Sequence, residues 1–266
     1  MSQHRNDTSG LLERPLTARS IVASLLLGMH PPRLASSRLV RWCSLFGISE
    51  GTARVALSRM VERGELTAEA GVYELAGAVR RRQSAQDWVL TAHLDAWDGG
   101  WLLGVVTPAA RAAPERAALR SAATAARLAE VREGLWARPD NLPRAAAGAE
   151  AWDVLDEQCS WWRGRPEEDT PALLARLFAP QAWAERAEQL VGRVEPVCEA
   201  LRDGRHEVLA EGFVTGAAAL QHVRRDPLLP AELLPESWPG ERLRTAYETY
   251  RVDYGQAVAA WFASQG

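Results

Sequence analysis

Residues 46–66, FGISEGTARVALSRMVERGEL, constrain the chain more than any other stretch. Ser49 is placed to cap a helix, its hydroxyl accepting from the free N–H groups of the first turn. Ala53, Ala56, Leu57 and Met60 recur at helical spacing and mark an inward face. Gly64 sits just past the end, where a positive φ costs glycine nothing. The opposite face presents Gly51, Thr52, Arg54, Val55, Ser58, Arg59 and Glu62.

The flanks fix the context. Ile21, Val22, Leu25 and Leu26 make one apolar stripe and predict a helix over 17–27. GMHPPRLAS then breaks the chain with two prolines and a glycine. Ser36 or Ser37 is expected to cap a second helix with Leu39, Val40, Cys43 and Phe46 inward, ended by Gly47. ELTAEAGVYEL reads as two short extended stretches about an Ala70-Gly71 turn, a hairpin. Helix, helix, tight turn, helix, hairpin is the order of a winged helix-turn-helix. A helix of this kind fits the major groove of B-DNA, where Arg forks two hydrogen bonds to guanine and Ser or Thr reaches bases or phosphates. Ser49, Thr52, Arg54, Ser58 and Arg59 are therefore the candidate DNA contacts. Arg80, Arg81 and Arg82, beside the hairpin, are candidate phosphate contacts. The hairpin tip carries Glu69 and no arginine, which argues against minor-groove reading there.

Charge supports the same division. Residues 1–83 hold 12 Arg against 7 acids, and residues 84–266 hold 19 Arg against 27 acids. Only the first part is suited to an anionic partner. The polar N-terminus lacks an apolar signal core and no apolar run approaches the length of a bilayer span, so a cytoplasmic location is expected. Cys43, Cys159 and Cys198 are too dispersed for a disulfide framework and read as buried thiols.

Beyond RRRQSAQ, a linker over 80–86, WDGGWLLGVV predicts a turn and a strand over 101–106. An Ala-rich helix follows from Pro114 to about Ala126, then a strand at GLWARP, 134–139. Strands and a helix in this order suggest a small α+β sandwich of ferredoxin-like type. From Thr170 the signals are helical, with Glu167, Glu168 and Asp169 suited to a helix start and a long amphipathic helix over 181–201. The sequence has no HExxH, GxSxG, GxGxxG or phosphate-loop pattern. Asp95 with Asp98 reads as turn-shaping, and Asp153, Asp156 and Glu157 as a solvated helix face. Most of the eleven tryptophans are expected to be packing residues.

The stretch DPLLPAELLPESWPG, 226–240, followed by LRTAYETY, resembles the PaaX family of phenylacetate-pathway transcriptional repressors. TARSIVASLLLG resembles that family's first helix, and LFGISEGTARVALSRMVERGEL its helix-turn-helix. WDGGWLLGVVTP and ERAALRSAATAARLAEVREGLWARP resemble its middle domain, so the likeness spans roughly 17–260. It implies an α+β, mainly helical fold in three parts. These are a winged helix-turn-helix domain (1–83), a ferredoxin-like middle domain (84–165) and a helical C-terminal domain (166–266). It also implies a homodimeric repressor on a palindromic operator in double-stranded DNA, released by an acyl-CoA such as phenylacetyl-CoA.

No cofactor, metal, membrane or catalytic role is expected. An acyl-CoA needs cations beside an aromatic-lined pocket. Trp101, Trp136, Arg224, Arg225 and Trp238 are the candidate effector residues. Trp183, Leu190, Val194 and Trp261 are candidate contacts between two copies. The alternative is an acyl-CoA or other small-molecule enzyme on the same scaffold, with a vestigial winged domain.

Overall fold

The computed structural model describes residues 11, 16–29, 31–77, 94–107 and 111–265. The protein is α+β and mainly helical, with two small sheets. Its contacts gather into two compact units: Met1–Asp87 with Ala187–Arg224 and Glu241–Gly266, and Trp88–Arg186 with Arg225–Gly240.

The first unit begins with α1 (Ala18–Leu27), which buries Ile21, Val22, Leu25 and Leu26. Thr17 caps it reciprocally: its hydroxyl accepts from Ser20 N–H, and its own N–H donates to Ser20 Oγ. The proline-rich break contains a short strand that sequence reading missed, β1 (Arg33–Ala35). Three residues are too few for an alternating pattern to stand out; only Leu34 is buried. α2 (Ser36–Ser44) buries Leu39, Trp42 and Cys43, whereas Val40 and Phe46, expected inward, are half-buried. Gly47, at φ +72°, turns the chain, with Ile48 N–H donating to Cys43 O and Gly47 N–H to Ser44 O.

α3 (Glu50–Glu62) follows and ends in the same way at Gly64, at φ +67°, where Glu65 N–H donates to Met60 O. β2 (Leu66–Glu69) and β3 (Val72–Leu75) form the hairpin, and β1 adds to β3 to give the order β1-β3-β2. Ala70 and Gly71 both have positive φ at the tip, the conformation a two-residue hairpin turn requires.

The rest of this unit comprises α7 (Pro180–Arg202, from Ala187 on), α8 (Leu209–Val223) and α9 (Gly240–Ser264, from Glu241 on). Trp42 is the hub joining α2 to α8 and α9. Its ring lies 6.4 Å from Phe213, 6.3 Å from Tyr254, 5.7 Å from Trp261 and 6.0 Å from Phe262. α8 approaches α9 through glycines. A Cβ on Gly216 would penetrate the ring of Tyr250, and one on Gly212 would press on Tyr254 and Val197. Tyr250 is itself buried, so its ring can shift only by disturbing its neighbours. Gly216→Ala is therefore expected to destabilise the protein by about 2–4 kcal/mol despite alanine's better helix propensity. A urea unfolding curve checks this; an unchanged midpoint would contradict the packing.

In the second unit β4 (Trp101–Val106), α4 (Ala113–Ala125), β5 (Ala129–Arg132), β6 (Leu135–Pro139), α5 (Ala149–Gln158) and β7 (Cys159–Gly164) follow in sequence. The sheet order is β5-β6-β4-β7, antiparallel throughout. Leu119, Ala122 and Ala123 of α4 and Trp152 and Leu155 of α5 pack with Leu102 and Trp136 on one face. On the other, Trp101 and Ala137 pack with Leu229 and with Leu173 and Leu174 of α6 (Thr170–Phe178). Asp169 caps α6, accepting from Ala172 N–H.

Asp98 accepts from Gly100 N–H in the turn before β4. Asp153, Asp156 and Glu157 are all exposed on α5, and Asp156 is in addition a hydrogen-bond centre. It takes both terminal nitrogens of Arg144 at 2.8 Å and the Trp161 indole N–H at 2.7 Å, while Arg144 lies 4.1 Å over the Trp152 ring.

A buried polar hub holds the DPLLP segment in this unit. Arg138, only 2% exposed, donates through Nε to Pro139 O and through Nη1 to Ala126 O and Arg127 O. Its Nη2 donates to Asn141 Oδ1 and Leu228 O, and Asn141 Nδ2 also donates to Leu228 O. Arg127 Nε donates to Asp226 O, and Asp226 Oδ1 accepts from Leu228 N–H. Burial pushes Arg138 down to about 9, helped by Arg127 and opposed by Asp140 and Asp226; at neutral pH it remains a cation.

Candidate nucleic-acid interface

The candidate interface is the outer face of α3. Ala53, Leu57 and Met60 are buried, so the helix can present only its other side. Arg19 pairs with Glu65 at 2.7 Å, tying α1 to the segment just after α3. Ser49 Oγ accepts from Thr52 N–H at 3.3 Å and lies 2.9 Å from Thr52 Oγ1, so the serine is engaged in capping and orients the threonine hydroxyl. Thr52, Arg54, Val55, Ser58 and Arg59 are all exposed. Arg54 forms an i,i+4 pair with Glu50 at 2.7 Å. With both side chains more than half exposed, that pair is weak and readily exchanged for an anionic partner. Four of the eight candidate DNA residues thus lie on the outer face of α3, and Ser49 caps it. Arg80, Arg81 and Arg82 lie outside the described residues.

Val55 stands on the outward face read from the sequence, though not among the candidate DNA contacts. Its signal is positional: it stands opposite the buried stripe and remains 51% exposed. At the hairpin tip Glu69, Ala70 and Gly71 are exposed.

Of the five effector candidates, Trp101 and Trp136 are not brought together. Trp101 and Trp136 point to opposite faces of the four-stranded sheet, since Trp101 pairs with Pro139 and Trp136 with Gly104. They pack in separate apolar clusters. Trp238 stacks on Trp183, with ring centroids 4.7 Å apart and planes 17° apart. Arg224 and Arg225 are exposed, each with interactions of its own. Trp183, Leu190, Val194 and Trp261, expected between two copies, are buried within a single chain, so contacts between copies need other residues.

Among the described residues of the first unit, two hollows stand out. One, of about 470 Å³, is lined by α7, the Arg205–Val208 turn and α8, with Arg193, Glu199, Arg205, Glu211 and Thr215 as its polar groups. The other, of about 260 Å³, is walled by Leu16, Ile21, Phe46, Ile48, Ala210, Glu211 and Val214. Neither contains a residue expected to bind the effector.

Residues 17–79 match the PaaX-like protein family, and residues 178–264 match the PaaX-like protein C-terminal domain. The chain belongs to the PaaX family. This PaaX-family chain is also similar to a solved structure, the uncharacterized protein Rv0674 from Mycobacterium tuberculosis. The identity is 36% over 92% of this chain and 99% of that one, with a TM-score of 0.72. No curated protein matches it. The N-terminal PaaX match contains α1 to β3 and hence the whole outer face of α3, and membership points to a transcription regulator. Among the described residues, no helix is long and apolar enough to cross a membrane.

Proposed function

We propose that this PaaX-family protein is a DNA-binding transcriptional repressor that acts as a homodimer on a palindromic operator and is released by an acyl-CoA or a related small molecule. The observation that carries the reading is α3: three buried residues seat it, and Thr52, Arg54, Val55, Ser58 and Arg59 face solvent together. The order α1, β1, α2, α3, β2, β3 is that of a winged helix. The βαββαβ order with strands arranged β5-β6-β4-β7 is that of a ferredoxin-like domain. A twofold dimer would set two copies of α3 about 34 Å apart, one turn of DNA. The effector class rests on the family resemblance alone, and the two hollows of the first unit are the first places to seek it.

Fluorescence anisotropy with duplex DNA from the chain's own upstream region tests the reading. Arg59→Ala is expected to weaken specific binding by about 1–3 kcal/mol and to relax preference at one base pair. Arg54→Ala should lose at least as much, because it also leaves the Glu50 carboxylate facing DNA without its partner. Wild-type affinity in both variants, with unchanged thermal unfolding, would sink the assignment. Addition of phenylacetyl-CoA and other thioesters to the wild-type complex tests release.

A further inference from the structure

Two residues at the centre of the α3 outer face, Gly51 and Val55, are exposed to solvent. At roughly 100° per residue, Val55 lies within about 15° of directly opposite the stripe of Ala53, Leu57 and Met60. It is a β-branched apolar side chain that remains 51% exposed, outside the buried stripe of the helix. Gly51 is one turn earlier on the same outward line. Its φ is not positive, and a Cβ built there would meet nothing within 4 Å. Neither backbone geometry nor packing calls for glycine in this helix, where it is less favourable than alanine. A bare backbone beside an exposed valine is what close approach by an outside partner requires. The neighbours set the partner's chemistry. Thr52, Ser58 and Arg59 surround the pair with hydrogen-bond donors, so the apolar spot is a small patch inside a polar face. In a DNA groove, the apolar group that meets such a patch is the C5-methyl of thymine.

Resting on the DNA-binding reading above, we infer that Gly51 and Val55 form a thymine-reading notch. Val55 packs on the C5-methyl of one operator thymine in each half-site, and Gly51 keeps that edge of the helix bare so that the base pair can come within contact distance. The geometry makes Val55 a specificity-determining residue and Gly51 a clearance residue. The arginines of the same face supply charge and hydrogen bonds, which do not distinguish thymine from uracil.

Replacing single thymines by uracil removes only the methyl group. The full-length chain first selects its preferred duplex from a random-sequence pool, and each thymine of that duplex is then exchanged for uracil in turn. At one symmetric position the wild-type protein should lose affinity about fourfold per methyl, the worth of one buried methyl group. Val55→Ala should bind the thymine and uracil duplexes equally at that position. Gly51→Ala should raise the melting temperature of the protein while lowering its affinity for both duplexes, a combination that a purely structural glycine would not give. A flat uracil scan on a duplex that wild type binds specifically overturns the notch and leaves the DNA-binding reading standing. Retention of the methyl effect in Val55→Ala does the same. If the selection returns no preferred duplex, the DNA-binding reading fails and the notch fails with it.

Discussion

Trp42→Ala is expected to cost about 3–5 kcal/mol of stability, the usual range for emptying a buried aromatic site. Trp42 has no exposed surface, and five aromatic rings lie 5.7–6.4 Å from its own. Those rings come from the turn after α2, from α8 and from α9, and α2 meets the last two only by folding. A domain of ordinary stability has about 5–15 kcal/mol in total, so the variant should unfold at markedly lower urea. Trp42→Phe is the informative partner. The Trp42 indole N–H is buried without a hydrogen-bond partner among the described residues, and phenylalanine removes that donor along with part of the ring. Its loss should be about 1–2 kcal/mol. Equal midpoints for the alanine variant and wild type would show that the cluster does not hold this unit together.

Arg138→Met should cost about 3–5 kcal/mol, because it strips donors from buried acceptors that water cannot reach. Pro139 O, Ala126 O, Arg127 O and Asn141 Oδ1 would each lose its bond from the guanidinium, while Leu228 O would keep one from Asn141. Asn141→Ala, which removes one donor and one acceptor, should cost less, about 1–3 kcal/mol. The pH dependence separates this hub from an ordinary ion pair. Burial lowers the Arg138 value well below the ordinary arginine range, to about 9, so the cost of its buried charge is present below about pH 9 and is relieved only as pH rises above that. Between pH 6 and 8 Arg138 contributes no slope to stability. Unfolding curves of wild type and Arg138→Met across that range should stay a constant distance apart; convergence would show that another group titrates in the hub.

Much of the candidate interface was legible beforehand because its signals are local. The Ser49 cap, the glycine stop at Gly64 and the Ala70-Gly71 turn each depend on backbone groups within a few residues. The buried stripe of α3 follows from helical spacing. Val55 was visible too, but an exposed apolar residue gains meaning only when its direction relative to that stripe is known. β1 was not legible: three residues beside two prolines become a strand only because β3 offers them partners. Arg138 was read as part of a strand ending in proline. Nothing near it in sequence shows that Leu228, ninety positions away, supplies one of its acceptors.

The tryptophans mark where sequence evidence stops. Their number and separation suggested packing for most and a ligand for three. Trp101 and Trp136 lie on different strands, and only the pairing of β4 with β6 reveals that they point to opposite faces. Trp183, Leu190, Val194 and Trp261 form the same apolar pattern whether their helices pack within one chain or between two; the fold places them inside one. The sequence by itself determined the caps, the turns, the outward arginines of α3 and membership of the PaaX family. Each of these is written in hydrogen bonds and periodicities that span a turn or two of chain, or in motifs read directly. The tertiary structure alone decided which aromatics are core, which cation is buried and which apolar side chain is left facing outward. Burial is a property of what packs from elsewhere in the chain, and a residue carries no local record of it.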